Sequence, residues 1–199
     1  MAGTVEDEKR GLRAAMRVRR AAVDPADRAA AGPALAAIWR REQPVLTPHP
    51  DGRPASIAGF WPKGDEIDVR ALLTALHDDQ YVVALPVTPA DAAPLRFRQW
   101  TPGADLVPGV FGTSEPSPQA TDVEPDVLLI PLLAVDSDGY RLGYGGGYYD
   151  RTLAALRGRR RVTAIGVGFE AQRVERLPRA AHDHRLDWLL TDRRLLAFA

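Results

Sequence analysis

Leu12 and Met16 lie four residues apart in VEDEKRGLRAAMRVRRAA (residues 5–22), beside a basic stripe of Lys9, Arg13 and Arg17 with the same spacing. That period, a helix-forming composition and acids in the first turn, where the helix dipole favours them, predict a helix here. Asp24 followed by Pro25 reads as an N-cap and first helical residue, so a second helix should run to about residue 41. The proline-rich REQPVLTPHPDGRP (41–54) predicts a loop with an insertion at its tip. Beyond it the period changes. ASIAGFW (55–61) and YVVALPV (81–87) are short apolar runs expected as buried strands, and between them DVRALLTALHD (68–78) carries apolar residues at helical spacing. LRFRQW (95–100) alternates, as a strand with one wet face does.

Residues 101–125 contain proline, glycine and serine with few periodic signals. A compact domain seldom keeps so long an idle connection, so this stretch is expected to be an ordered functional loop. DVLLIPLLAV (126–135) predicts a strand buried on both sides, YYDRTLAALRG (148–158) a helix, RVTAIGVGF (161–169) a strand and RLDWLLTD (185–192) the last strand. Alternating strands and helices predict a single α/β domain over residues 1–199, with a mostly parallel sheet and helices on both faces. Ligands of such sheets collect at the carboxyl ends of the strands.

Charge narrows the partners. The 26 basic and 26 acidic residues balance, so the overall charge gives no reason for a nucleic-acid or acidic-membrane partner, and any recognition of anions must be local. RGRRR (157–161) is short and reads as a helix end followed by an exposed turn. The absence of cysteine excludes disulfides, thiolate metal sites and a cysteine nucleophile, and fits a reducing compartment. The N-terminus lacks the apolar core of a signal peptide, and no run of about 18 apolar residues occurs. A soluble, cytoplasmic monomer is expected.

The candidate chemistry sits in RLGYGGGYYDR (141–151). Glycine permits positive φ and close approach to the backbone, so Gly143, Gly145, Gly146 and Gly147 can turn several amides toward one anion, and a helix starting near Tyr148 adds its positive end. Arg141 can supply a cation to phosphate oxygens, and Asp150, in the first helical turn, a carboxylate to Mg²⁺. A tight strand-to-helix turn that needs glycine for sterics alone is the competing reading, and Asp150 alone reads equally as a dipole-favoured surface acid. The loop lacks the GK[ST] of a Walker A sequence and fits a dinucleotide fingerprint poorly.

The chain resembles the 5-formyltetrahydrofolate cyclo-ligase family, through KRGLR, GFWPKGDEID, VVALPV, LRFRQW, LVPGVFGTSEP, DVLLIPLLAVDSDGYRLGYGGGYYDR, AIGVGFEAQ and LPRAAHDHRLDWLLTD in that order. The resemblance implies a fold like that of the sugar-phosphate isomerase and CoA-transferase group. It also implies an ATP- and Mg²⁺-dependent conversion of 5-formyltetrahydrofolate to 5,10-methenyltetrahydrofolate, ADP and phosphate. By the same resemblance Lys9, Arg10 and Arg13 are ATP contacts, and Arg141, Leu142, Gly143, Tyr144, Gly145, Gly146, Gly147, Tyr148 and Tyr149 form the nucleotide loop. Asp150 and Asp183 become the magnesium carboxylates, and Trp61, Glu66 and Tyr148 the folate contacts. Arg141, Tyr148 and Glu66 are the candidate catalytic groups.

Each residue also has a plainer reading. The basic stripe of the first helix fits a solvated face, Trp61 fits a core position and Glu66 a helix-start acid. His182 and His184 flank Asp183 without a third ligand pattern, so HDH is a poor metal site, and Asp187 reads as a structural acid or a partner behind the site. Phe111, Gly112, Glu115 and Pro116 lie in the long loop, which is expected to close over the folate. Two rival functions keep the same loops: isomerisation or CoA transfer without ATP consumption, and a noncatalytic nucleotide- or folate-binding regulator.

Overall fold

In a computed structural model, residues 4–42, 44 and 52–198 are described. The chain opens with α1 (Val5–Ala21), where Thr4 and Asp7 close a capping box and Glu6, Asp7 and Glu8 occupy the first turn. Asp24 Oδ1 then accepts the Ala26 amide at 2.8 Å and starts α2 (Pro25–Glu42). Most of the loop read at 41–54, including its tip, lies outside the described residues.

The remaining elements are β1 (Ser56–Ala58), α3 (Arg70–Asp78), β2 (Val82–Val87), β3 (Arg96–Gln99), β4 (Leu106–Pro108), β5 (Ser114–Pro116), β6 (Val127–Pro131), β7 (Ala134–Val135), β8 (Arg141–Leu142), α4 (Tyr148–Arg157), β9 (Thr163–Gly168), β10 (Trp188–Thr191) and β11 (Leu195–Ala197). The main sheet has seven strands in the order β11-β10-β9-β6-β1-β2-β3. Its five central strands are parallel, and β3 and β11 are antiparallel edges. This is the mixed, mostly parallel α/β architecture that the alternating pattern predicts.

Side chains divide between the two faces with the two-residue period of a strand. In β6, Val127 and Leu129 join α2 and α3 in one core, while Leu128 and Ile130 join Leu153 and Leu156 of α4 in the other. Ile57, Leu129 and Leu190 have 0% exposure, and each such side chain contributes roughly 1.5–3 kcal/mol by burial. A surface ion pair contributes at most about 1 kcal/mol, so burial rather than ion pairing holds the sheet. A third, smaller core packs Met16 of α1 on Leu133, Ala134 and Leu142, which places α1 against the β7-β8 hairpin. Among the described residues no helix is long and apolar enough to cross a membrane.

Three local features differ from the pattern-based reading. The apolar run 126–135 is not one strand: the chain leaves the main sheet after Pro131 and re-forms as β7, paired with β8. RLDWLLTD is followed by β11, which pairs antiparallel with β10. The long segment 101–125 contains the β4-β5 hairpin, and Asp122 bridges to Arg98 of β3.

Strand order fixes where a ligand crevice falls. From β1 the chain winds outward through β2 to β3, whereas from β6 it winds the other way through β9 and β10. The switch point therefore lies between β1 and β6, at their carboxyl ends.

Candidate active site

The segment leaving β1 carries Phe60, Trp61 and Glu66, and the segment leaving β6 runs through the β7-β8 hairpin into the glycine loop. Arg20, Phe60, Glu66, Pro131, Val167 and Gln172 line a narrow crevice at this junction, too tight as it stands to admit a water molecule.

The loop is shaped by glycine where the backbone requires it. Gly145 has φ +102° and Gly147, the N-cap of α4, has φ +66°, both in the region that L side chains rarely adopt. Among the described residues the backbone amides of 144–147 donate no hydrogen bond. The loop carbonyls, by contrast, are tethered: Arg13 Nε donates to the Gly143 oxygen at 3.1 Å and Arg151 Nη2 to that of Gly146 at 2.8 Å. Arginines thus draw the carbonyls aside, leaving donors and a helix N-terminus for an incoming anion.

Arg141 is nearly buried, with Nη2 on Asp150 Oδ1 at 2.7 Å and Nη1 on the His184 carbonyl at 2.6 Å. Asp150 Oδ1 also accepts the His184 amide at 3.0 Å, and its Oδ2 takes no hydrogen bond among the described residues. Asp183 is differently engaged. Lys9 Nζ donates to both of its oxygens, at 2.8 and 2.6 Å, and the Ala180 amide donates to Oδ2 at 2.7 Å. Burial works against the Asp183 charge, yet the Ala180 amide and Lys9 outweigh it and hold the carboxyl below its ordinary range. Burial, with the charges of Arg157 and Arg141 against only partial relief from Asp150, lowers His184.

Glu66 accepts the Lys63 amide on Oε2 at 2.8 Å and the Tyr144 hydroxyl on Oε1. Burial and the Glu66 charge push the phenols of Tyr144 and Tyr149 up, so both are protonated at neutral pH. Tyr148 begins α4 with the Arg151 guanidinium 4.9 Å from its ring centroid and the Phe111 ring at 6.2 Å.

The structure brings Lys9, Arg13, Glu66, residues 141–150 and Asp183 to one end of the sheet. Arg10 is not part of that cluster; it is exposed and pairs with Asp7 at 2.5 Å on the solvent side of α1. Trp61 packs on Trp100 at 6.0 Å, with Arg70 over its ring at 5.8 Å. Glu115 is buried and accepts the Thr88 amide at 3.0 Å, tying the 109–116 segment to the end of β2. Phe111 is 69% exposed at φ +58°, and Lys63 Nζ donates to its carbonyl. Asp187 accepts Arg157 and the Ala164 amide, both at 2.7 Å, away from the loop.

Residues that the motif reading passed over complete the site. Arg20 lies on the Leu12–Met16 stripe one further period along, a cation where the pattern puts core, and that mismatch was its signal. It is 4% exposed and bonds Tyr144 and Asp65. Arg151, directly after Asp150, holds both the loop carbonyl and the Tyr148 ring.

Fold and site together define an α/β protein with a glycine loop, leading into a helix N-terminus, at the switch point of a mostly parallel sheet. The 5-formyltetrahydrofolate cyclo-ligase family matches residues 5–192, and the chain belongs to that family. It is 37% identical over 147 residues to the 5-formyltetrahydrofolate cyclo-ligase of Mycolicibacterium smegmatis, covering 70% of this chain and 74% of that one. Its identity to the Escherichia coli cyclo-ligase is 34% over 168 residues, or 82% and 88% of the two chains. The solved structure of Aquifex aeolicus 5,10-methenyltetrahydrofolate synthetase superposes with a TM-score of 0.75 at 26% identity, covering 95% of this chain and 92% of that one. The Mycoplasma pneumoniae synthetase, at 23% identity and a TM-score of 0.70, covers 93% and 99% and shares the fold.

Proposed function

We propose that this chain cyclises 5-formyltetrahydrofolate to 5,10-methenyltetrahydrofolate at the expense of ATP, through phosphorylation of the formyl oxygen. The observation that carries the reading is the run of amides at 144–147 that donate no hydrogen bond among the described residues, set between Arg141 and the start of α4 in a member of this family. The formyl oxygen would leave badly as hydroxide. In the proposed sequence it attacks the γ-phosphorus, the bond to ADP breaks, and an imidate-like phosphate forms on the folate. N10 then bonds to the formyl carbon, the carbon–oxygen bond breaks with release of phosphate, and the N10 proton goes to solvent. No side-chain nucleophile is required.

In this reading the amides of 144–147 take the phosphate oxygens, Arg13 and Arg151 hold the loop open, and Arg141 neutralises charge gathered in flight. Lys9 and Arg13 face the nucleotide, while Arg10 adds only to the surrounding field. Glu66 accepts from the amino-pyrimidinone edge of the folate, and Tyr148 and Phe111 offer ring faces to it. Trp61 supports that pocket from its tilted contact with Trp100.

The donors fit a hard divalent cation in kind. Asp150 keeps one carboxylate oxygen outside the described hydrogen bonds, whereas Asp183 would meet a cation only after releasing Lys9. Among the described residues no three of His, Cys, Asp or Glu converge as a metal-binding group, so Mg²⁺ would share its ligands with the phosphates. Held there by Asp150 with Asp183, it would supply charge neutralisation on the phosphate chain. The reading takes the protein as a cytoplasmic monomer with no need of nucleic acid or membrane.

The test is formation of the methenyl product, followed by its absorbance, from 5-formyltetrahydrofolate with and without ATP and Mg²⁺. Product that requires ATP, with ADP release that requires the folate, is the expected result. Binding of both ligands without turnover would favour a regulator, and product without ATP would exclude the phosphorylated intermediate.

A further inference from the structure

The middle of the glycine loop has one side chain long enough to reach across the site. Tyr144 stands between Gly143 and Gly145, and its hydroxyl accepts a hydrogen bond from Arg20 Nη1 while donating to Glu66 Oε1. Its ring is 41% exposed and lies 6.0 and 5.6 Å from the guanidiniums of Arg17 and Arg20. The loop's phosphate side and the folate carboxylate therefore share one phenol.

Arg20 fixes that phenol. Its Nη2 bonds Asp65 Oδ1, and Arg28 locks the assembly with Nη1 on the Asp65 carbonyl at 2.7 Å and Nη2 on the Arg20 carbonyl at 2.8 Å. Burial works against the Arg20 charge, but its bonds to Asp65 and Tyr144 outweigh it and keep the guanidinium charged. Asp65 adjoins Glu66, whose other oxygen is held by the Lys63 amide. Arg20 thus positions Glu66 twice, through the carboxylate of its chain neighbour Asp65 and through the Tyr144 hydroxyl.

Glycines lose the most conformational freedom when a loop orders. Whatever orders 143–147 also sets the Tyr144 hydroxyl, and with it the Glu66 oxygen it bonds. Conversely, a ligand that settles Glu66 removes freedom from the loop through the same bond. The ordering cost met by the first ligand is not met again by the second, which gives positive coupling equal in both directions.

We propose that Arg20 and Tyr144 are positioning residues that couple the nucleotide and folate halves of the site, so that each ligand tightens the other. The proposal rests on the reading that the glycine loop takes ATP and Glu66 takes the folate.

Calorimetric titration with a nonhydrolysable ATP analogue, alone and with saturating 5-formyltetrahydrofolate, and then in the reverse order, tests it. The wild type should show a tightening of about 5- to 20-fold, the same in both directions. Tyr144→Phe keeps the ring between the two arginines and removes only the hydroxyl. Its coupling should fall to within about twofold of unity, whatever the variant's affinity for each ligand alone. Arg20→Lys, which keeps a charge but not the two-sided bonding, should lose coupling as well. A merely structural role would weaken both ligands and leave their ratio intact. Full coupling in Tyr144→Phe, or two ligands that bind the wild type independently, would overturn the link alone. Failure of either ligand to bind the wild type would overturn the functional reading and the link together.

Discussion

Both ends of the sheet carry arginine and aspartate, and they use them in opposite ways. At the amino end, Asp126 precedes β6 and accepts from Arg53 at 3.1 Å through two nitrogens, from the Ser56 amide and hydroxyl at 2.8 Å, and from Arg160. Its carboxylate is fully engaged, and the bonds staple the start of β1, β6 and the turn after α4. At the carboxyl end Asp183 is likewise held on both oxygens, by Lys9, but the other partners differ. Asp150 keeps an oxygen free of described partners, the 144–147 amides donate no hydrogen bond among the described residues, and arginines there hold carbonyls and a phenol in place. The same residue types thus staple one end of the sheet and, at the other, leave donors and a carboxylate oxygen without partners among the described residues.

That contrast can be broken at several points. The largest effect is expected from Gly145→Val, because φ +102° admits glycine and not a β-branched residue. Its kcat/KM for ATP should fall at least about 100-fold in steady-state assays, beyond what a strain-induced fall of several degrees in melting temperature explains. Asp150→Asn keeps the shape and removes the charge; roughly a 10- to 100-fold loss of ATP-dependent turnover should follow. Asp126→Ala acts in the other sense, leaving two arginines without their shared partner. A stability loss of about 2–3 kcal/mol, or a fall in Tm of roughly 5–10 °C, should appear in thermal melts, with turnover per folded molecule unchanged.

Asp65→Asn should give the smallest effect, and a pH-dependent one. Burial raises the Asp65 carboxyl, but the bond and charge of Arg20 outweigh this and hold it below its ordinary value. A depressed carboxylate contributes stability above the ordinary carboxylate range and loses it as the pH falls through the folded value. The wild type should therefore melt above the variant at pH 7, and the difference should close as the pH falls below about 4.

Much of this was legible in the sequence, for physical reasons that also explain the gaps. A parallel sheet buried on both faces writes itself as unbroken apolar runs, so VLLIP announces β6; the same continuity hides where the chain leaves the sheet, because Leu133 and Ala134 are as buried in the hairpin as Leu129 is in the core. β11 is three residues long and follows the polar turn at 192–194, too short for a period to show. The glycine loop stands out because its residues are contiguous, and Lys9 and Arg13 because helical spacing puts them on one face. Arg10 lies about 100° around the helix from Lys9 and pairs with Asp7 instead. Arg20 breaks the Leu12–Met16 stripe visibly, but its partners Asp65 and Tyr144, 45 and 124 residues away in the chain, show only in the tertiary structure.

Backbone amide NMR during titration with a nonhydrolysable ATP analogue addresses the loop most directly. The amides of 144–147 should shift together and saturate at a single Kd, along with those at the start of α4. Saturation elsewhere in the protein with those four resonances unmoved would contradict the account.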